Sequence, residues 1–242
     1  MKKIPDGLIL SWYGDDYTGS AVVMDVLTFA GMKSVLFLGL PTPAQRAVFA
    51  DARAIGIAGT ARAHDPAWME QNLPEIFRYL ATLNTPVTHY KVCSTLDSGP
   101  QIGSIGKAID LAMEVFSSPW VPLLVAAPPM RRYQAFGNLF ASSPDGIRRL
   151  DRHPVMTRHP ITPMDEADVA VHISRQTSRK FGTIDLENLA PGGDANEALR
   201  QQLEKGAEII SLDSIDEATQ AAAGRLIWTE REGGIFAVGS QG

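Results

Sequence analysis

Leu8-Ile9-Leu10-Ser11-Trp12-Tyr13-Gly14-Asp15-Asp16-Tyr17-Thr18-Gly19-Ser20 decides the fold. Leu8–Trp12 is a short apolar run without strict polar alternation, the pattern of a buried strand. Gly14 and Gly19 bracket two acids and a threonine, and a helical pattern runs over Gly19–Ala30. Strand, tight polar turn and helix in that order open a βαβ unit.

Downstream the same rhythm repeats. Apolar runs at Val35–Leu38, Ala54–Ala58, Val87–Val92, Leu123–Ala127, Ile184–Leu186, Ile209–Leu212 and Ile235–Val238 read as further strands. Helical patterns cover Pro66–Leu83, Ile102–Phe116, Glu166–Ser178, Ala195–Lys205 and Ile215–Arg231. The expected fold class is α/β: three layers, with a mainly parallel sheet and helices on both faces. It is Rossmann-like, but the G-x-G-x-x-G dinucleotide fingerprint is absent, which disfavours an oxidoreductase. Pro128–Pro163 breaks the rhythm and reads as a long, Pro-, Arg- and His-rich functional loop.

The chain has 242 residues and a net charge of −5, with 45% hydrophobic and 20% charged residues. That is ordinary globular composition, and the mild acidity argues against nucleic acid or an anionic membrane as the main partner. Cys93 is the only cysteine, so neither a disulfide framework nor a cysteine-based zinc site is expected, and a reducing cytoplasm is the expected location. No apolar run is long enough for a membrane span.

Four segments could carry chemistry. In parallel α/β sheets, ligands sit beyond the carboxyl ends of strands. Asp15 and Asp16 lie at such a point; adjacent carboxylates there need donors such as ligand hydroxyls or a cation, the alternative being helix capping by Asp16 or Thr18, which would need one such residue and not two acids and a threonine together. The second segment, Tyr90–Gly99, supplies Lys91, Ser94, Thr95 and Ser98 where a strand gives way to a helix. That set suits a carboxylate or polyol acid, or else forms an ordinary polar loop. Cys93 reads as a packed small residue. In the third segment, Pro128–Asn138, Arg131 or Arg132 could clamp a carboxylate. In the fourth, Arg-His-Pro occurs twice, at Arg152–Pro154 and Arg158–Pro160, and suits anion or sugar-acid contact, for instance through Arg158 or His159, or else forms a solvated basic loop. No metal is expected there, because no third ligand has a recognisable spacing.

Taken together, these segments resemble the N-terminal domain of the four-carbon acid sugar kinase family. Gly14–Ser20 is similar to its Ala-Asp-Asp-Leu-Thr-Gly-Ala opening, Ser94-Thr95-Leu96 to its Ser-Thr-Leu run, Arg132 and Gly137 to its Pro-Ala-Leu-Gly-Arg-Thr segment, and Gly239–Gly242 to its Gly-Ser-Gly turn. Asp97 stands where many members carry arginine.

The resemblance implies that residues 1–242 form a sugar-acid-binding domain of an enzyme that phosphorylates threonate, erythronate or an oxo-tetronate. The partners are then the small acid and a C-terminal nucleotide-binding kinase domain, which has no counterpart in this chain; a homodimer is also compatible. ATP and Mg²⁺ would serve the full-length enzyme and be bound mainly by that other domain. Asp16 would be the base or hydroxyl orienter. Asp15, Lys91, Ser94, Thr95, Ser98, Arg132, Arg158 and His159 would hold substrate. The alternative is a non-catalytic sugar-acid binding or sensing module.

Overall fold

In a computed structural model that describes residues 4–240, eleven strands and eight α-helices alternate along the chain. Eight strands form one parallel sheet in the order β2-β3-β1-β4-β11-β5-β10-β9. They are β1 (Leu10–Gly14), β2 (Ser34–Phe37), β3 (Ala54–Ala58), β4 (Val87–Lys91), β5 (Val121–Leu124), β9 (Phe181–Ile184), β10 (Ile209–Leu212) and β11 (Ile235–Gly239). The last strand sits in the middle, paired with β4 on one side and β5 on the other.

Handedness places the helices. Right-handed crossovers that step toward β9 put their helices on one face, and those that step back toward β2 put theirs on the other. The first face carries α3 (Pro66–Thr82), α4 (Ile105–Met113) and α5 (Val169–Ser174), with the largest core beneath them: Met69, Leu73, Phe77, Ile109 and Ile173 against Tyr90, Leu123 and Phe236. The second face carries α1 (Tyr17–Phe29), α7 (Ala195–Glu204) and α8 (Glu217–Thr229), over two smaller clusters around Trp12 with Val23 and around Ile210 with Leu226. Connections from β1 to β2 and from β10 to β11 each step over one strand, so α1 lies toward β3 and α8 toward β5.

The expected α/β class and parallel sheet are what the structure shows, with boundaries moved by capping. Ser104 accepts from the Lys107 amide, so α4 begins at Ile105 rather than Ile102. Asp168 accepts from the Val171 amide and starts α5 well inside the expected Glu166–Ser178. Two short helices were not anticipated, α2 (Pro43–Val48) and α6 (Leu186–Leu189).

Pro128–Pro163 is the main correction. It is not one loop but a three-stranded antiparallel sheet, β6 (Arg132–Ala135), β7 (Asn138–Ser143) and β8 (Gly146–Arg149), followed by two 3₁₀ turns. Phe136 and Gly137 both have positive φ (49° and 76°), as a two-residue hairpin turn between β6 and β7 requires. Buried Asp213, just past β10, accepts from the Phe136 and Gly137 amides and from Gln134 Nε2. Gln134 Nε2 also donates to Ser211 Oγ at 2.7 Å. These bonds fasten the small sheet to the carboxyl end of the large one. The expected Gly239–Gly242 turn extends outside the described residues.

Candidate functional site

β1 ends at Gly14, and the chain delivers Asp15 and Asp16 at the carboxyl edge of the sheet. Asp16 is the N-cap of α1, its Oδ1 accepting from the Gly19 amide at 3.0 Å. Asp15 is 1% exposed, a cost that a charged partner must offset. That partner is Arg62, in the turn after the neighbouring strand β3. Its Nε donates to Asp15 Oδ2 at 3.0 Å and its Nη2 to Asp15 Oδ1 at 2.5 Å. The same Nη2 reaches Asp16 Oδ1 at 2.9 Å. Backbone bonds from Gly59 N to Gly14 O and from Arg62 N to Asp15 O seat the two turns side by side. Asp16 therefore caps the helix, and both carboxylates meet the guanidinium of Arg62.

Lys91, at the end of β4, is buried beside this cluster and donates to Val92 O. Burial draws its pKa down, against the pull of Asp15, and burial pushes Asp15 up against Arg62 and Lys91. Gly19 leaves room for both groups: a Cβ there would stand 2.3 Å from Asp16 Oδ1 and 2.6 Å from Lys91 Nζ, so one or both side chains would have to shift.

A cleft of about 380 Å³ opens over the pair, within the range of small-molecule sites. Its walls come from four segments: Asp15 to Tyr17, Gly59 to Ala63, Asp97 with Ile102, and His159 with Ile161 and Thr162. His159 Nδ1 accepts from the Thr162 amide at 3.0 Å, so in the neutral ring the proton sits on Nε2. The two Arg-His-Pro copies thus divide. His153, in the first, is buried, accepts from the Val155 and Met156 amides through Nδ1, and bonds Ser142 O through Nε2. It is a staple, whereas His159 faces the cleft.

Several expected site residues stand apart from this cleft. Ser98 Oγ donates to Leu96 O, lies 3.1 Å from His172 Nε2 and accepts from Gln176, which ties the loop to α5. Thr95 Oγ1 donates to Asp97 Oδ1 at 2.9 Å, and Ser94 is buried in the same loop. Arg158 is exposed and Arg132 is half-buried; neither lines the cleft. Arg132 Nη1 donates to Ser142 Oγ and to the Met130 and Arg131 carbonyls, because the segment folds back as a hairpin. It leaves the sheet at β5, three ladder spacings or about 14 Å from β1. The expected convergence of Asp15, Asp16, Lys91, Ser94, Arg132 and one of Arg158 or His159 on one cleft therefore holds for Asp15, Asp16 and His159, with Lys91 packed behind them. Burial raises the Cys93 thiol, with Asp97 adding to the effect, which suits a packed residue rather than a nucleophile.

Arg62 was missed by the sequence reading. The available signal was a lone arginine within four residues of the end of a predicted strand. Among the described residues, no group of three His, Cys, Asp or Glu side chains converges as a metal site.

A doubly wound parallel sheet with two carboxylates and an arginine at its carboxyl edge is an α/β domain of the kind in which ligands commonly sit beyond the strand ends. The profile of the sugar-binding N-terminal domain family matches residues 10–242, and the chain belongs to that family. It is 46% identical over 239 residues to a 3-oxo-isoapionate kinase of Paraburkholderia graminis, covering 98% of this chain and 50% of that protein. It is 30% identical to a 3-oxo-tetronate kinase of Methylobacterium radiotolerans, covering 97% and 53% respectively. The chain thus spans about half the length of the curated relatives it matches. A crystal structure of a Haemophilus influenzae protein of the DUF1537 family shares the fold, with a TM-score of 0.84 at 21% identity over 96% of this chain and 53% of that one.

Proposed function

We propose that this chain is the substrate-binding half of an ATP-dependent kinase that phosphorylates a hydroxyl of a small 3-oxo sugar acid, of the 3-oxo-isoapionate or 3-oxo-tetronate kind. The observation that carries the reading is the Asp15–Arg62–Asp16 cluster lining a cleft at the carboxyl edge of β1 and β3. The 46% identity to a protein named 3-oxo-isoapionate kinase supports the choice of substrate class.

Phosphoryl transfer asks the protein mainly for positioning and charge. Asp16 would accept a hydrogen bond from the attacking hydroxyl, and its proton as the bond to phosphorus forms. Arg62, pinned by Asp15, would hold Asp16 in one rotamer. His159 Nε2–H would donate to a substrate oxygen from the opposite wall. ATP and Mg²⁺ would be held chiefly by the other half of a longer polypeptide, since both carboxylates here already face an arginine. A cytoplasmic location suits the single thiol.

The test is thermal-shift and calorimetric titration of this chain with 3-oxo-isoapionate, 3-oxo-tetronate, threonate, erythronate and the uncharged polyol erythritol. A ligand that binds only the folded state raises the melting temperature. Stabilisation by a 3-oxo acid and not by erythritol, weakened at least tenfold in Asp16→Asn, supports the reading. No response to any acid would sink it.

A further inference from the structure

Asp97 lines the cleft over Asp15 and Asp16, on the loop that joins β4 to α4. Asp15 and Asp16 meet Arg62, whereas Asp97 forms no ion pair among the described residues. Its Oδ1 accepts from Thr95 Oγ1 at 2.9 Å, and no described group donates to Oδ2. The loop holds this half-buried carboxylate still. Leu96, fully buried, has a φ of 53°, a left-handed backbone that a bulky residue rarely adopts. Its carbonyl accepts from Ser98 Oγ at 2.9 Å, and Ser98 is itself held by Gln176 and His172. Gly103 N donates to His64 O, and a Cβ on Gly103 would stand 2.6 Å from Arg62 O, so the loop is pressed against the turn that carries Arg62. Strain of this kind persists only where the surroundings over-determine it, and it collects at ligand clamps.

We propose that Asp97 is the specificity-determining residue of the cleft: its Oδ2 accepts a hydrogen bond from a hydroxymethyl branch of the substrate, and its charge turns the substrate carboxylate away, toward the wall that carries His159. An ionised carboxylate is an acceptor only, so it favours a ligand hydroxyl and disfavours a ligand carboxylate. The cleft walls carry three carboxylates and one arginine, with Lys91 packed behind them. A small acid is therefore held with its hydroxyls toward Asp16 and Asp97, and the donor on the other wall, His159 Nε2–H, is left for its anionic end. Of the two acids for which the relatives are named, 3-oxo-isoapionate carries a hydroxymethyl branch and 3-oxo-tetronate carries none. Identity is 46% to the kinase named for the first and 30% to the kinase named for the second. This assignment rests on the proposed kinase reading and narrows its substrate class to branched 3-oxo acids.

The experiment is calorimetric titration of the 1–242 polypeptide, and of its Asp97→Ala and Asp97→Asn variants, with 3-oxo-isoapionate and with 3-oxo-tetronate. The unaltered chain is expected to bind the branched acid about tenfold more tightly; a half-buried carboxylate can fall back on water, so the discrimination is smaller than a sealed site would give. In Asp97→Ala the branched acid should lose affinity while the unbranched acid holds or gains it, and the ratio should fall to roughly threefold or less. Asp97→Asn keeps an acceptor for Thr95 and loses the charge. Its ratio should lie in between, because a charge-assisted hydrogen bond is about twice as strong as a neutral one. An unchanged ratio in Asp97→Ala overturns the proposal, as does the absence of a preference for the branched acid in the unaltered chain. Equal losses for both acids also overturn it, since Asp97 would then serve only to hold the loop. Should Asp97→Ala fail to fold, Asp97→Asn decides, and an unchanged ratio there overturns the proposal. No binding of either acid to the unaltered chain would sink the kinase reading and this assignment together, whereas an unchanged ratio sinks this assignment alone.

Discussion

Arg62 spends one guanidinium on two carboxylates from another strand end, and Asp15 has almost no water to fall back on. Arg62→Ala therefore leaves a buried charge uncompensated and should cost about 3 kcal/mol in chemical denaturation. The Asp15→Asn/Arg62→Ala double variant should lose less than the sum of its singles, because the two groups are in contact; additive losses would show that the pair is not coupled. His89 offers a pH test. Burial, with Lys91 adding to it, pulls its pKa from the usual 6.5 to about 4. Its folded form thus stays neutral while the unfolded chain takes up a proton, and stability falls as pH drops from about 6.5 to 4. On the order of 2 kcal/mol is expected, allowing for partial exposure of the ring. His89→Leu should flatten that slope in urea melts at pH 7 and pH 5; an unchanged slope would put the titrating group elsewhere. At this scale the sequence was readable where chemistry followed a strand end directly, as with Asp15 and Asp16. Arg62 sits in Gly-Thr-Ala-Arg-Ala, a stretch with no pattern of its own. Only the pairing of β1 with β3 makes it a partner, and that pairing is a long-range fact.

Among elements, the β6–β7 turn leans on one carboxylate outside the small sheet. Asp213 accepts two backbone amides from the Phe136–Gly137 turn and a side-chain amide from Gln134. Asp213→Ala should orphan those donors and loosen the hairpin while the parallel sheet persists. Hydrogen exchange should quicken at Gln134–Ser143 and hold steady in β4 and β11; uniform acceleration would mean that Asp213 supports the whole core instead. The parallel strands were legible because a strand covered on both faces leaves an unbroken apolar run. β6 to β8 were not, for a reason specific to their residues. Arg132, Gln134, Ser142 and Arg148 break the apolar pattern, and the turn carries a phenylalanine at positive φ where asparagine or glycine would have announced a hairpin. Ser143-Pro144-Asp145-Gly146 did carry a turn signal, with Gly146 at a φ of 108°.

For the molecule as a whole, the prediction concerns completeness. With Mg²⁺, ATP and a panel of 3-oxo acids, the 1–242 polypeptide should release no ADP above background in a coupled assay, although it should bind acid. The chain contains no G-x-x-x-x-G-K-[ST] run, and phosphoryl transfer needs donors and cations placed around the γ-phosphate. Turnover that vanishes in Asp16→Asn would show instead that this half is a complete kinase.

The central position of β11 has a consequence for how the protein is made. Strands β2, β3, β1 and β4 form one ribbon and β5, β10 and β9 another, and among the described residues they are joined only through β11, which follows all of them in the chain. While the chain emerges from the ribosome, each ribbon can form, but both must wait with an apolar edge unpaired until residues 235–239 arrive to close the seam. Such open edges are where nascent chains stick to one another. A stalled product ending before Ile235 should consequently be a far better chaperone client than one only five residues longer.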